Sequence, residues 1–201
     1  RANGPLFICQ GVISQPLLCK LYLYKIICTA KEKIMIKEVN YADYAQQAIE
    51  ILSKGAFLNT TDGTTDNTMT IAWGSIGFIW GKPIFMVMVR PSRYSFNNIE
   101  SQEDFTVSIP LTDMSNALKI CGSKSGRDIN KFEAASLELM PGQKVKTKAI
   151  KNCGLHFECK IMYKQAMDTT HLNPEILNHK YASGDLHTLY YGEILSCYIE
   201  K

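Results

Sequence analysis

Asn67-Thr68-Met69-Thr70-Ile71-Ala72-Trp73-Gly74-Ser75-Ile76-Gly77-Phe78-Ile79-Trp80-Gly81-Lys82-Pro83-Ile84-Phe85-Met86-Val87-Met88-Val89-Arg90-Pro91-Ser92-Arg93-Tyr94-Ser95 is the stretch whose reading decides the fold. Two runs rich in β-branched, aromatic and sulfur side chains, joined through Gly74, Gly77 and Gly81, read as strands. The second runs straight into two arginines, a tyrosine and two serine hydroxyls. An apolar wall ending in anion-binding side chains suits a ligand with a flat aromatic body and a phosphate tail. The ring needs a dry, polarisable surface, and the phosphate needs guanidinium forks with hydroxyl or amide donors. FMN has that build.

On the N-terminal side, Tyr41, Ala45, Ala48, Ile49 and Leu52 recur at helical spacing over 41–54, with Asn40 as the cap and Gly55 as the stop. Ala56 to Thr61 reads as a strand, Asp62 to Asp66 as a turn, and Thr68 to Ser75 as the returning strand, so the hairpin carries Asn67 at its lip. Pro83 to Val89 reads as a continuous apolar strand covered on both faces.

On the C-terminal side, 94–101 is expected to be a short helix, 105–109 a strand closed by Pro110, 113–120 a helix, and 124–128 a polar loop before a helical piece at 129–135. Leu155, Phe157, Cys159, Ile161 and Tyr163 alternate with His156, Glu158, Lys160 and Met162, the pattern of a half-buried strand. Leu189 to Ile199 is apolar on both parities, which predicts cover on both faces and fits a subunit interface. About six strands with few long helices predict a mainly β protein, a small antiparallel barrel with short helices.

The run 67–95, followed by Cys121-Gly122-Ser123-Lys124-Ser125-Gly126-Arg127-Asp128 with Lys131, and then Tyr191-Gly192-Glu193-Ile194, resembles the flavin reductase-like, FMN-binding split-barrel family, especially its flavoredoxin-like members. The motifs keep the family's order over about 36–200. The resemblance implies a Greek-key split barrel, a homodimer, and FMN near the junction of two subunits. Residues 1–34 have no counterpart in it. They are expected to be an extra segment outside the fold domain of 35–201, with Met35 as the functional start; an arm packed on the barrel is the alternative.

By the same resemblance, Asn67, Thr68, Met69 and Thr70 border the flavin ring, and Trp73 lies against the cofactor. Taken alone, the Asn and Thr residues are also what a turn and strand start contain. Trp80 is expected in the core. Arg90, Arg93, Tyr94 and Ser95 match the family's phosphate side, although Ser95 stands where Thr is frequent; either hydroxyl can donate to an anion. Two arginines after a strand also fit a solvated rim. If a helix begins near Ser92 and Ser95, its free amides and dipole would add to the phosphate site.

The Gly122 to Arg127 loop is not a nucleotide P-loop, because only three residues separate its glycines and Arg follows. In the family it closes over the cofactor. Lys124, Ser125, Gly126, Arg127 and Lys131 are therefore assigned to the phosphate, ribityl chain or N1/O2 edge, where a cation stabilises reduced flavin. A solvated basic loop is the plain alternative. His187 matches a histidine on the family's substrate side, and no other catalytic side chain is assigned.

Composition excludes several classes. With 22 basic against 19 acidic side chains, the net charge of +3 is too small for a nucleic-acid surface. Seven cysteines without a CxxC pair do not form a disulfide framework and indicate a reducing cytoplasm. No apolar run reaches the length of a membrane span, since Lys20 and Lys25 interrupt the greasiest segment. Cys153, His156 and Cys159 do not make a metal site, because a strand points His156 away from both cysteines.

The expected function is an FMN-dependent oxidoreductase that moves electrons from NADH or NADPH to a flavin or another acceptor. The alternatives are a flavoredoxin-like electron carrier served by a redox protein partner, and a flavin-binding or oligomerisation module without turnover. No dedicated acid or base is required, because the chemistry belongs to the cofactor.

Overall fold

In the computed structural model, which describes residues 35–200, the Asn40 side chain accepts a hydrogen bond from the Ala42 amide and opens helix α1, Tyr41–Leu52. The expectation for 1–34 lies outside the described residues. Strand β1, Ile36–Glu38, precedes α1, and Gly55 behind it takes φ +134°, a conformation that excludes most side chains. Ala48 and Leu52 turn the helix towards the core.

The remaining strands are β2 (Ala56–Thr61), β3 (Asp66–Ile71), β4 (Gly74–Ile79), β5 (Lys82–Val89), β6 (Asp104–Pro110), β7 (Leu139–Met140), β8 (Ala149–Ile150), β9 (Gly154–Ala166) and β10 (Thr188–Glu200). Short helices stand between them: α2 (Tyr94–Ser101), α3 (Ser115–Ser123), α4 (Lys131–Ala134), a 3-10 turn at Thr169–His171, and α5 (Pro174–Lys180).

The main sheet runs β3-β2-β6-β9-β10-β5-β4, with β1 added beside β10 and every pairing antiparallel. Strands β5, β10, β9 and β6 lie side by side although β6 follows β5 in the chain, which is Greek-key order. Two register shifts between β9 and β10, at Tyr191/Gly192 and Ile194/Ser196, bend the sheet around its core. At the first, Gly192 lets the strand close on its neighbours, because a Cβ there would come within 2.6 Å of Phe105 Cζ and 2.7 Å of Cys159 Cβ.

Phe85, Phe105, Phe157 and Tyr190 fill the centre, with the Phe85 and Phe157 rings edge to face at 5.2 Å. Burying each such side chain is worth about 1.5–3 kcal/mol. A second cluster, around Phe57, Cys121, Ile150 and Cys153, seats α3 and α4 against β2. The 143–147 loop is fixed by carboxylates: Glu158 accepts the Gln143 and Lys144 amides at 2.7 and 2.6 Å, and Asp104 accepts those of Lys146 and Thr147.

Several sequence expectations need correction. The expected strand 68–75 is two strands, broken at Ala72 and Trp73. β3 pairs with β2, whereas β4 leaves to pair with β5, and a Cβ on Gly74 would stand 2.8 Å from the Met86 carbonyl. Trp80 is not a core residue. It sits at φ 56° in the β4–β5 turn, 60% exposed, and meets the edges of Tyr163 and Tyr191.

Strand β5 is fully covered on one face only, since Met86 and Met88 remain half-buried. The first half of β9 departs the other way. His156 and Glu158 are as buried as their apolar neighbours: two loop amides answer the Glu158 carboxylate, and the Ser108 hydroxyl meets His156 Nδ1, while Nε2 lies 3.7 Å from the Glu200 carboxylate. β10 is covered twice only beyond the second bulge; before it, Leu189, Tyr191 and Glu193 are half-buried and Leu195 is exposed.

Candidate functional site

Where β3 and β5 end, the start of α2, the loop after α3 and the residue before β10 enclose a cleft of about 360 Å³. That is within the range of small-molecule sites. Among the expected residues, Asn67, Met69, Thr70 and Trp73 line it from the β3 side, and Arg90, Arg93, Tyr94 and Ser95 from the β5–α2 side. Lys124, Ser125, Arg127 and Lys131 complete it from the loop, and His187 closes it. Thr68 and Gly126 do not line the cleft.

Those two residues build the wall. Thr68 is buried with its hydroxyl on the Leu58 carbonyl, and its own carbonyl accepts from Lys131. A Cβ on Gly126 would lie 2.6 Å from Tyr94 Cδ1 and inside contact of Asn67 Oδ1, so the loop reaches β3 and α2 only because that side chain is missing. Thr70 fastens α3, which leads into the loop, by donating to the Leu118 carbonyl at 2.6 Å.

One part of the cleft is aromatic and apolar. The rings of Trp73 and His187 are 5.5 Å apart, and Met88 and Ile71 add polarisable and aliphatic surface. The other part is cationic. None of the ion pairs among the described residues uses Arg93, Lys124, Arg127 or Lys131. Arg127 donates to the Ser92 carbonyl at 3.1 Å and stands 5.5 Å over the Tyr94 ring, which holds the loop against α2.

Lys131 is the most constrained of these cations. Only 5% exposed, its ammonium donates at 2.9 Å to the carbonyls of Thr68 and Cys121. Burial, reinforced by the Arg93 charge, pushes its pKa down, while the Cys121 thiol beside it opposes the shift. Burial raises that thiol to about 11, so Cys121 is a protonated wall residue rather than a nucleophile. Helix α2 has no side-chain cap on its first turn, so its leading amides are available at the cleft.

Arg90 is engaged elsewhere. Its guanidinium donates to the carbonyls of Asp185 at 2.9 Å and Lys180 at 3.0 Å and lies 4.9 Å over the Tyr181 ring. Ser92 adds two bonds to the Asp185 carboxylate, from its amide at 3.2 Å and its hydroxyl at 2.6 Å. Burial works against the charged form of Asp185, but the Ser92 bonds and the Arg90 and Arg93 charges hold its carboxyl below the ordinary range. These contacts fix the segment after α5, which carries His187 into the cleft.

Ile71, Ala72 and Met88 of the apolar wall, Ser92 of the phosphate-side segment, and Cys121, Gly122, Ser123 and Asp128 of the loop motif also line the cleft; the sequence marks their segments without giving each a cofactor role. Tyr181 and Asp185, which brace the cleft, carried no signal. Arg90 and Ser92, which hold them, lie about ninety positions away in the chain, and part of the contact runs through the main-chain carbonyl of Asp185.

The sequence pattern of the flavin reductase like domain matches residues 50–201. An uncharacterized protein of Archaeoglobus fulgidus is 30% identical over 129 residues, 64% of this chain and 63% of its own length, so the chain spans less than two thirds of that relative. Among solved structures, the FMN-binding domain of a flavin reductases-like enzyme from Shewanella baltica superposes with a TM-score of 0.60 at 18% identity, over 83% of this chain and 78% of its own. Flavoredoxin of Desulfovibrio vulgaris gives 0.58 at 22% identity, over 73% of this chain and 69% of its own. At these identities the two structures establish the fold, the split barrel with short helices.

Proposed function

This chain belongs to the flavin reductase-like domain family, and from that premise we propose that it is an FMN-dependent oxidoreductase passing electrons from NADH or NADPH to a flavin or another acceptor. The observation that carries the proposal is Lys131, a cleft-lining residue whose buried ammonium has two neutral carbonyls as its acceptors, which leaves one of its three N–H groups without an acceptor among the described residues. A buried cation without a charged partner is costly, and a phosphate in the cleft offsets that cost.

In this reading Arg93, Lys124, Arg127 and Lys131 hold the phosphate with the uncapped amides of α2. Ser95 joins them, because its oxygen accepts from Asn67 and leaves its own O–H to donate. Asn67, Met69, Thr70, Trp73 and Met88 take the ring system, excluding water from its faces. FMN held there would supply the redox chemistry, carrying hydride and electrons between a reduced nicotinamide and the acceptor. Arg90 serves the site indirectly by holding the segment that carries His187.

A homodimer in the cytoplasm belongs to the same proposal. Trp80, 60% exposed, meets Tyr163 and Tyr191 on an outward aromatic face, and Phe78, 67% exposed, lies two residues before it at the end of β4; these exposed rings suit a second copy of the chain.

Anaerobic mixing of the FMN-loaded protein with NADH and with NADPH tests the function. Bleaching of the flavin band by either coenzyme supports the reductase. An unbleached protein that a redox protein donor can reduce is instead the flavoredoxin-like carrier.

A further inference from the structure

Tyr181 and His187 form a pair that the proposed redox chemistry leaves unused. The Tyr181 hydroxyl lies 2.7 Å from His187 Nδ1, with the two rings edge to face at 5.6 Å. Tyr181 is 4% exposed, pinned beneath the Arg90 guanidinium, and His187 is 9% exposed, with its ring against Trp73 in the cleft. His187 Nε2 has no hydrogen-bond partner among the described residues, and it is not sealed from solvent.

We propose that Tyr181 is a positioning residue that holds His187 in the tautomer protonated on Nε2, so that the ring donates a hydrogen bond to a carbonyl oxygen of the molecule bound beside Trp73. The inference rests on the FMN reading for what that molecule does, but the tautomer itself does not depend on FMN.

The proton's place follows from the competing acceptors. The Tyr181 hydroxyl can donate to His187 Nδ1 at 2.7 Å or to the Met167 sulfur at 3.5 Å. A thioether is a weak acceptor and an imidazole nitrogen a good one, so the shorter contact takes the proton. Nδ1 is then an acceptor, and the proton of the neutral ring resides on Nε2.

Protonation of both nitrogens is resisted. Burial, then the Arg90 charge, with Arg93 adding to them against Asp185, brings His187 down to about 4. The ring therefore offers one N–H and no charge. A neutral donor beside an aromatic wall favours a planar molecule carrying a carbonyl, either the carboxamide of a nicotinamide or the carbonyl of an electron acceptor. A bare anion is better served at the cationic end.

Nitrogen-15 NMR of histidine-labelled full-length protein tests this, with the His187 signals identified by their loss in His187→Gln. In the parent, Nδ1 is expected to resonate as an unprotonated nitrogen and Nε2 as a protonated one; the reverse overturns the proposal, even if Tyr181→Phe fails to fold. Tyr181→Phe keeps the ring under Arg90 and should shift population towards Nδ1–H. An unchanged tautomer there shows that Tyr181 does not set it.

Excess NAD+ or benzaldehyde should move the Nε2–H signal, the former pointing to the carboxamide and the latter to an acceptor carbonyl. If neither moves it, no carbonyl is recognised. Tyr181→Phe should also raise KM for the responding ligand about three- to tenfold, the scale of one hydrogen bond. Flavin colour, read on the same samples, reports the FMN proposal separately.

Discussion

The Asn67 side-chain amide donates to Ser95 Oγ at 2.7 Å, across 28 positions of sequence. This buried bond joins the lip of the β2–β3 hairpin to the first turn of α2, the two segments that meet at the cleft. It gives Asn67 a share in placing the anion-binding end, and it leaves the Ser95 proton free for a ligand. Gly126 lies against the same Asn67 side chain, so hairpin, helix and loop converge on one residue.

Arg93 and Arg90 should therefore behave differently when truncated. Arg93→Ala removes a cation from the phosphate end and should weaken FMN binding by about 1.5–3 kcal/mol, the worth of a charged hydrogen bond. Arg90→Ala frees the carbonyls of Lys180 and Asp185 and should instead speed proteolysis between Met167 and His187, with a smaller effect on FMN affinity. Fluorescence titration and limited proteolysis on both variants separate the roles; equal loss of FMN affinity would place Arg90 on the phosphate.

Gly126→Ala should be harmful out of proportion to its size. The added methyl would press on Tyr94 Cδ1 and the Asn67 amide, so the loop must withdraw or the Asn67–Ser95 bond must break. Overpacking of this kind costs about 1–3 kcal/mol. Thermal unfolding and FMN affinity should both fall, and a variant matching the parent in both would show that the loop does not need this close approach.

Acid should loosen the fold through His187. Its folded pKa of about 4 lies below the ordinary 6.5, so between those values the unfolded chain binds more protons and stability rises with pH. The contribution is complete above about 6.5 and lost as pH falls towards 4, and it is no larger than about 2–3 kcal/mol for a ring that reaches the cleft. Denaturant unfolding of the parent and of His187→Gln between pH 4 and 7 should show a steeper pH dependence in the parent. Parallel curves would contradict the depressed pKa.

The aromatic face on the β4–β5 turn should control assembly. Phe78→Ser with Trp80→Ser removes the two most exposed aromatic side chains among the described residues, both at the β4–β5 turn, without touching the core or the cleft. Sedimentation analysis should find a dimeric parent and a monomeric variant. A monomeric parent would remove the homodimer from the account.

Much of this was legible in the sequence. The 56–61 strand and the 94–101 helix have the expected bounds because turn residues mark their ends: Gly55 before the strand, Asp62 after it, and Pro91 ahead of the helix. The cleft residues on either side of the apolar wall were readable because local motifs carry them.

The break at Trp73 was not legible, since Ala72-Trp73-Gly74 reads as strand and only pairing with β5 turns the chain away. The burial of His156 and Glu158 was hidden for a similar reason. Polar residues at alternate positions signal a solvated face unless their partners are known, and here those partners are the Ser108 hydroxyl and the amides of Gln143 and Lys144. The role of Arg90 was equally invisible, because its acceptors are main-chain carbonyls that any sequence supplies.

Titration of FMN-stripped protein with FMN, followed by flavin fluorescence in the parent and in Lys131→Met, tests the central claim most directly. The account predicts saturable binding of one FMN per chain in the parent and at least about tenfold weaker binding once the buried ammonium is gone. A parent that does not bind FMN, or a folded Lys131→Met that binds it as tightly, would contradict the account.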